Sequence, residues 1–258
     1  MAHTVKLSYV LPTFNEIENL GFIFNQIKYF EKNNDLEFIF IDDNSTDGTF
    51  DYISNQKNKF NNIRIYKRLD DKGLSKAIKA GFLIAKGEYV VVMDTDGQHE
   101  IKTTLNLFNK IEGEKLDIVI GSRFLQKSQI KDFPIMRLYF SKFGNFLSRM
   151  SLLGKYSFLT DYMSGFFILR KQTCQKFIKG MKPNGFKFLY GLLNQCDGNL
   201  KVCELPFHFK KRRYGKSKLD FFTFFIFIIS LINYFFSNSI KIIIFNLSKI
   251  YKQYLNKK

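Results

Sequence analysis

The chain has 258 residues, of which 45% are hydrophobic, so it is long enough to fold around a sizeable buried core. It carries 40 basic and 23 acidic residues, and the net charge of +17 indicates anionic partners: nucleic acid, a negatively charged membrane or phosphorylated substrates. Three cysteines without a CxxC pair do not suit a disulfide framework, and the N-terminus lacks the apolar stretch of a signal peptide. We therefore expect a globular protein that stays on the cytosolic side of a membrane.

Short β-rich runs alternate with helical patterns from residue 7 onward, which is typical of βαβ units and a largely parallel sheet. The predicted strands are Leu7–Leu11, Glu37–Ile41, Ile63–Tyr66, Tyr89–Met93, Leu116–Ile120, Gly165–Leu169 and Lys201–Leu205. Apolar spacing predicts helices at residues 17–30, 47–55, 77–85 and 101–111, and further helical stretches within residues 130–200. No repeat or linker divides residues 1–218, so we expect one domain there.

The composition changes after Lys218. Residues 221–240 contain no charge, whereas residues 207–258 as a whole hold 11 Lys or Arg and one acidic residue, Asp220. As a helix, the apolar residues 221–236 would extend roughly 24 Å, short of a hydrocarbon core of about 30 Å. Polar residues follow one side of this helix, which favours a position in the membrane interface over a single span or a buried helix. We expect residues 219–258 to form a hydrophobic and basic membrane-associating tail.

Two acidic clusters directly follow predicted strands: Asp42-Asp43 and Asp94-Thr95-Asp96. In an open α/β sheet such residues project into the crevice at the carboxyl ends of the strands, where ligands bind. Two carboxylates at i and i+2 can share a hard divalent cation, which bridges the phosphates of a nucleotide diphosphate, and Gln98 adds an oxygen. An isolated DxD is more often a solvated turn, so the Mg²⁺ or Mn²⁺ site predicted at Asp94, Asp96 and Gln98 depends on the motifs around it.

Eight motifs in one order provide that context. They are Leu11-Pro12-Thr13-Phe14-Asn15-Glu16, residues 41–49 (IDDNSTDGT), Gly73-Leu74 through Gly81, residues 94–99 (DTDGQH), Gly121-Ser122-Arg123-Phe124, residues 161–166 (DYMSGF), residues 185–189 (GFKFL) and residues 212–218 (RRYGKSK). Together they resemble the family 2 glycosyltransferases, in particular the dolichyl-phosphate mannose synthase and polyprenyl-phosphate branch. The resemblance implies a catalytic domain with the nucleotide-diphospho-sugar transferase fold (GT-A), in which helices flank a Rossmann-like, mostly parallel sheet.

The resemblance also implies roles for individual residues. The base and ribose of a nucleotide-diphosphate sugar would be held by Pro12, Phe14, Glu16, Ile41 and Asp43, and its phosphates would be bound near Asp94, Thr95 and Asp96. Four basic residues would face donor or acceptor phosphate: Arg123, Lys187, Arg212 and Lys218. Asp96, Arg123 and Arg212 are the expected catalytic residues. Two positions depart from the family pattern, since Phe14 replaces a usual Tyr and Gly191 stands where related members often carry Glu.

The expected acceptor is a lipid phosphate. Relatives that glycosylate a hydroxyl place a catalytic Asp late in the domain, whereas Pro183–Gln195 contains no carboxylate. A phosphate monoester, with a second pKa of about 6, is a nucleophile at neutral pH and needs no general base. We therefore expect inverting transfer of a sugar to polyprenyl or dolichyl phosphate at the cytoplasmic face of a membrane, and the resemblance implies mannose from GDP-mannose as the favoured donor.

Two alternatives stay open. The first keeps the chemistry but uses UDP-glucose or another UDP-sugar as donor and undecaprenyl phosphate as acceptor. The second, less favoured, is a basic nucleic-acid-binding protein, whose cations would spread over a groove instead of concentrating around an apolar segment. An oligomer or a small membrane subunit is compatible with the enzyme.

Overall fold

The computed structural model describes residues 5–30, 35–125, 129–130, 135–182, 187–210, 212–214, 229, 231, 232, 235 and 236. The strands are β1 (Leu7–Thr13), β2 (Leu36–Asp42), β3 (Ile63–Lys67), β4 (Tyr89–Val92), β5 (Ile118–Ser122), β6 (Gln129–Ile130), β7 (Phe167–Arg170), β8 (Val202–Pro206) and β9 (His208–Phe209). The helices are α1 (Ile17–Lys28), α2 (Thr49–Lys57), α3 (Leu74–Ile84), α4 (Thr104–Gly113), α5 (Ile135–Ser151), α6 (Lys171–Gly180) and α7 (Phe188–Cys196).

Seven strands form one sheet in the order β3-β2-β1-β4-β7-β5-β8. Only β7 among them runs antiparallel to its neighbours, so the predicted, largely parallel sheet is confirmed. The seven predicted strands all occur, with ends shifted by up to two residues. Because β7 is reversed, its amino end lies at the same sheet edge as the carboxyl ends of the parallel strands. Motifs that precede β7 and motifs that follow the other strands therefore meet at that edge.

Alternate residues of the strands face two separate hydrophobic cores. Val10, for example, packs with the apolar side chains of α3, α6 and α7, whereas Tyr9 and Leu11 pack with those of α1, α2 and α4. Both faces of the central strands are covered, which is why these strands are continuous apolar runs in the sequence. Helices thus cover both faces of the sheet, and the edge formed by the carboxyl ends of the parallel strands is the place where a ligand can bind.

Helix α5 packs against the domain through buried polar residues and Leu147, and it presents large apolar residues to solvent on its other side. Asn145 and Ser148 are buried, and the Ser151 hydroxyl is 2.7 Å from the Tyr190 hydroxyl of α7. Large apolar side chains on the other side are exposed and recur at helical spacing: Tyr139, Phe143, Phe146 and Met150. Most large apolar residues of a surface helix normally face the core, so this exposed apolar side is unusual.

The predicted membrane-associating tail lies outside the described residues, apart from five positions. Leu231 is buried in the core formed with α3, α6 and α7, whereas Ile229, Ile232, Phe235 and Phe236 are exposed. Within the part of the chain that the structure describes, no helix combines the length and apolarity needed to cross a bilayer. The tail, and the division of the chain near residue 218, stay predictions.

Candidate active site

The loops that follow β1 and β2 are bound to each other by side-chain hydrogen bonds. The Ser45 backbone N–H donates to Asp42 Oδ2 at 2.9 Å, and the Asn15 N–H donates to Ser45 Oγ at 2.9 Å. The Glu16 N–H donates to Thr49 Oγ1, also at 2.9 Å. Each of these three side chains accepts from a backbone N–H that the strands leave unpaired, and two of the three bonds connect the loops. The two predicted nucleotide-binding motifs therefore form one structural unit.

The residues predicted to hold base and ribose differ in their surroundings. Phe14 is 39% exposed at the sheet edge, so its ring is accessible for stacking. The Ile41 side chain instead is buried in the core beneath α3. Asp43 accepts hydrogen bonds from Arg68 Nη1 at 2.9 Å and the Gly73 N–H at 2.7 Å, and burial raises the pKa of its carboxyl. Asp43 thus fastens the start of α3 to this loop.

The two acidic residues of the predicted cation site directly follow β4. Asp96 Oδ1 accepts from the Gln98 N–H at 3.0 Å, and its Oδ2 accepts from Arg212 Nη2 at 2.7 Å. Burial and the neighbouring Asp96 carboxylate raise the pKa of Asp94. Gly165, just before β7, lies so close that a Cβ there would be 2.8 Å from Asp94 Oδ2. Two carboxylates that repel each other at a constrained site are an arrangement that a bound cation would stabilise.

The loop that contains Asp94 and Asp96 is anchored on both sides. The Thr95 hydroxyl donates to the Pro12 carbonyl at 3.4 Å, which connects the loop to the first motif. Gln98 Nε2 donates to the Lys210 carbonyl at 3.0 Å, and the Lys210 N–H donates to the Gln98 carbonyl at 3.3 Å. The second connection brings the segment after β9, and with it Arg212, to the site.

The donor set fits a hard divalent cation. Carboxylates and the Gln98 side-chain oxygen, whose amide nitrogen is already bonded, are ligands that Mg²⁺ and Mn²⁺ accept. Among the described residues, no group of three or more His, Cys, Asp or Glu side chains is arranged to hold a metal. A cation here would be held by Asp94, Asp96 and Gln98.

Basic residues from three distant parts of the chain surround these carboxylates. Arg212 Nη1 is 3.9 Å from Glu16 Oε1, in addition to its bond with Asp96. Lys187 and Arg212 both act to lower the pKa of Asp94, opposing the effect of burial. Arg123 borders the same cavity. The structure thus brings together three of the four predicted phosphate-facing cations, and Lys218 lies outside the described residues.

His99 is a cavity residue that ends the motif at residues 94–99 but has no role assigned from the sequence. Its ring packs against Phe166, Phe207 and Phe209, with centroid distances of 4.9, 5.3 and 5.7 Å. Burial, aided by the nearby Arg123 guanidinium, lowers the pKa of His99 to about 3. Its Nδ1 is buried and has no hydrogen-bond partner within the described structure. The imidazole is therefore neutral at physiological pH and a poor proton acceptor.

Arg123 is paired with a second residue that sequence reasoning left without a role. Its Nε and Nη2 donate to the two Asp161 carboxylate oxygens at 2.7 and 2.8 Å. The guanidinium lowers the pKa of Asp161, whose own burial acts in the opposite direction. Asp161 lies in the motif at residues 161–166. Glu204, whose carboxylate accepts from the Asp161 N–H at 2.8 Å, has no sequence signal, because a lone Glu in a strand suggests only a solvated side chain.

Comparisons with known proteins identify the family of the chain. The model of glycosyl transferase family 2 matches residues 8–177. The dolichol-phosphate mannosyltransferase of Pyrococcus furiosus is 35% identical over 217 residues, which cover 83% of this chain and 59% of that relative. The enzyme of the same name from Saccharomyces cerevisiae is 31% identical over 230 residues, 84% of this chain and 82% of the relative. The chain thus spans under two thirds of the archaeal relative.

A solved structure shares the fold. Glucosyl-3-phosphoglycerate synthase from Mycobacterium tuberculosis, in complex with Mn²⁺, UDP-glucose and phosphoglyceric acid, matches with a TM-score of 0.61 at 17% identity. The match covers 82% of this chain and 72% of that chain. At this identity the likeness concerns the fold alone, and it agrees with the GT-A architecture expected from the motifs.

Proposed function

The chain belongs to glycosyltransferase family 2, and on that premise we propose that it transfers mannose from GDP-mannose to dolichyl phosphate or a related polyprenyl phosphate. The observation that carries the proposal is the contact between Asp96 and Arg212, which are 116 positions apart in the sequence. A carboxylate suited to a cation and an arginine suited to phosphate, held together at a sheet edge, form a pocket for a nucleotide diphosphate.

In this proposal each part of the donor has its own binding residues. The base and ribose lie along Pro12, Phe14, Glu16 and Asp43, with Phe14 providing the accessible ring, whereas the buried Ile41 side chain supports this surface from the core. Asp94, Asp96 and Gln98 hold Mg²⁺ or Mn²⁺, which supplies charge neutralisation of the diphosphate. Lys187, Arg212 and Lys218 donate charge-assisted hydrogen bonds to phosphate oxygens. Thr95 maintains the position of the cation-binding loop through Pro12.

The chemical step is an in-line displacement. An oxygen of the lipid phosphate forms a bond to the anomeric carbon as the bond from that carbon to the donor phosphate breaks, which inverts the configuration. The electron pair leaves with the nucleoside diphosphate, and Arg212 stabilises the negative charge that develops there. Arg123 holds the attacking phosphate. The attacking phosphate oxygen carries no proton that has to be removed. Among the described residues, the acidic side chains that border the cavity are Asp94 and Asp96, and both are assigned to the cation.

We further propose that the domain binds the cytoplasmic surface of a membrane, where the headgroup of such an acceptor lies. The exposed apolar stripe of α5 supports this proposal, because Tyr139, Phe143, Phe146 and Met150 would be placed unfavourably in water. Exposed Lys142 adds a cation beside the stripe, and each such residue contributes about 1 kcal/mol near anionic lipid. The tail at residues 219–258 would add a second, larger attachment.

A second candidate exists for the donor substrate. The solved structure that shares this fold holds UDP-glucose, which keeps a UDP-sugar donor and undecaprenyl phosphate acceptor as the second candidate. A panel experiment separates the two. Purified protein is incubated with radiolabelled GDP-mannose, UDP-glucose or UDP-N-acetylglucosamine, either lipid phosphate, and Mg²⁺, Mn²⁺ or EDTA, and the label in the organic phase is counted.

We expect label from GDP-mannose with dolichyl phosphate, dependent on the divalent cation. Asp96→Ala should abolish this transfer while the circular dichroism spectrum stays that of the wild type, because the side chain is a ligand and not part of a hydrophobic core. Normal turnover of Asp96→Ala with metal present would contradict the role given to this carboxylate. Absence of label from every donor would contradict the proposed function itself.

A further inference from the structure

The guanidinium of Arg123 is held by a single buried carboxylate. Arg123 Nε and Nη2 bond Asp161 Oδ2 and Oδ1, and the Arg123 backbone N–H also donates to Oδ2, at 3.2 Å. Asp161 has no exposed surface, and Arg123 is only 9% exposed. Paired parallel hydrogen bonds of this kind fix both the plane and the direction of a guanidinium. The orientation of Arg123 is therefore set by Asp161.

The pairing leaves one edge of the guanidinium for another ligand. Nε and Nη2 are committed to Asp161, and within the described residues no acceptor binds Nη1. Arg123 borders the cavity that contains Asp94 and Lys187, whereas Asp161 does not. Asp161 thus lies behind Arg123, and the two hydrogens of Nη1 with the second hydrogen of Nη2 form the edge that remains for a group entering the cavity.

A second carboxylate holds Asp161 in place. Glu204 Oε1 accepts from the Asp161 N–H at 2.8 Å, and Oε2 accepts from the N–H and the hydroxyl of Thr160 at 2.8 and 3.0 Å. The Thr160 hydroxyl is also 2.6 Å from that of Ser122, at the end of β5. The segment before β7 is therefore fastened to both β5 and β8. A polar network that is fully buried at Asp161 and half-buried at Thr160 and Glu204 makes a rigid support for a binding group.

The position of Arg123 indicates which phosphate it serves. Phe14 and Asp43, the residues proposed for base and ribose, do not border the cavity that Arg123 borders. Arg212, which pairs with Asp96, is already assigned to the donor diphosphate in the proposed function. Arg123 is thus available at the end of the site away from the nucleotide base, where the acceptor would enter.

We propose that Asp161 is a positioning residue for acceptor recognition: it directs Arg123 so that the remaining edge of the guanidinium binds the phosphate of the lipid acceptor. The inference rests on the proposed function, which supplies that phosphate. Asp161 does not border the cavity and acts on the acceptor through Arg123, while its Oδ1 also accepts from the Met163 N–H at 3.3 Å. Glu204 supports the same arrangement from one step further away.

Asp161→Glu tests this role without removing the ion pair. The added methylene keeps the charge and the pairing, so the fold is retained, but it displaces the guanidinium by about one bond length, and misplacement by about 1 Å can reduce catalysis about 100-fold. We expect the KM for a short-chain prenyl phosphate to rise about 10- to 100-fold, with the KM for the nucleotide-sugar within about twofold of wild type. Glu37→Asp is the matched control, because Glu37 pairs with Arg64 at 2.7 Å at the opposite edge of the sheet.

Binding is measured separately from turnover by titration calorimetry with the prenyl phosphate alone. Weaker binding by Asp161→Glu, with Glu37→Asp unchanged in both KM values, supports the positioning role. A merely structural role predicts equal effects on both substrates or none, and either result overturns the inference. If the wild type binds the prenyl phosphate but transfers no sugar, the proposed function fails. If it transfers sugar and Asp161→Glu keeps wild-type affinity for the acceptor, only the inference fails.

Chemical rescue provides an independent arm. Arg123→Ala removes the guanidinium but leaves the Asp161 carboxylate, so guanidinium ion at about tens of millimolar should re-enter the space and restore part of the acceptor binding. The double variant Arg123→Ala/Asp161→Asn should not be rescued, because the carboxylate that directs the ion is absent. Equal rescue of the two variants would overturn the role of Asp161.

Discussion

Replacing Gly165 with alanine should weaken cation binding without unfolding the domain. The added Cβ would lie 2.8 Å from Asp94 Oδ2 and 3.4 Å from its Cγ, closer to the oxygen than side chains normally approach. The backbone of Gly165 has no positive φ, so the substitution adds volume without backbone strain. The conflict is relieved most readily by rotation of the Asp94 carboxylate, which is the group that the proposed cation site needs in place.

The size of the effect follows from the cost of overpacking. An extra methyl group in a well-packed place costs about 1–3 kcal/mol. Since about 1.4 kcal/mol corresponds to a tenfold change in a binding constant, displacement of Asp94 should raise the Kd for Mn²⁺ about 5- to 150-fold. Gly113→Ala is the matched control, because a Cβ at the end of α4 meets no atom within 4 Å.

Electron paramagnetic resonance of free Mn²⁺ measures the Kd of each variant, and thermal unfolding in EDTA measures its Tm. We expect Gly165→Ala to bind Mn²⁺ weakly and transfer sugar slowly, and Gly113→Ala to match the wild type in both. Wild-type Mn²⁺ affinity in Gly165→Ala would refute the reasoning, since it would mean that Asp94 is not constrained by this contact or does not bind the cation.

Two further predictions concern stability and membrane binding. The pKa of His99 is lowered from 6.5 to about 3, so below pH 6.5 the unfolded state binds a proton that the folded state does not. Between pH 7 and pH 5 the free energy of unfolding of the wild type should therefore fall by about 2 kcal/mol relative to that of His99→Phe. Urea unfolding at the two pH values measures this difference. A parallel pH dependence of the two proteins would refute the assignment. Phe143→Ser/Phe146→Ser should reduce flotation with anionic vesicles, whereas Leu83→Ser/Leu105→Ser, which alters exposed leucines of α3 and α4, should not. Equal flotation of both double variants would exclude α5 as the contact.

The sheet was predictable because its strands are short apolar runs with acidic or glycine-containing motifs after them. Such runs are buried on both faces in a parallel sheet, and this pattern depends on local composition alone. The direction of β7 was not predictable in this way. The predicted strand at residues 165–169 has the same composition as the others. The reversal of β7 (Phe167–Arg170) depends on its pairing with β4 and β5, which lie far away in the sequence.

Site residues are predictable from the sequence where they lie in a motif with a known ligand chemistry. They are not predictable where their role depends on contacts that only the fold creates. The spacing of Asp94 and Asp96 indicated a cation, and the segment that begins at Arg212 indicated phosphate. Glu204 gave no comparable signal, because its function depends on two backbone N–H groups that the fold brings to it. Ile41 shows the opposite case, since its motif implies a nucleotide contact while its side chain is buried in the core.

The most direct test of the central claim compares two acceptors that differ only in the phosphate. Dolichyl phosphate and dolichol are each incubated with the wild-type protein, radiolabelled GDP-mannose and Mn²⁺, and the glycolipid is resolved by thin-layer chromatography. An enzyme that relies on the acceptor phosphate as nucleophile and on Arg123 to hold it should label dolichyl phosphate and leave dolichol unlabelled. Equal labelling of the alcohol would require a general base and would contradict the account.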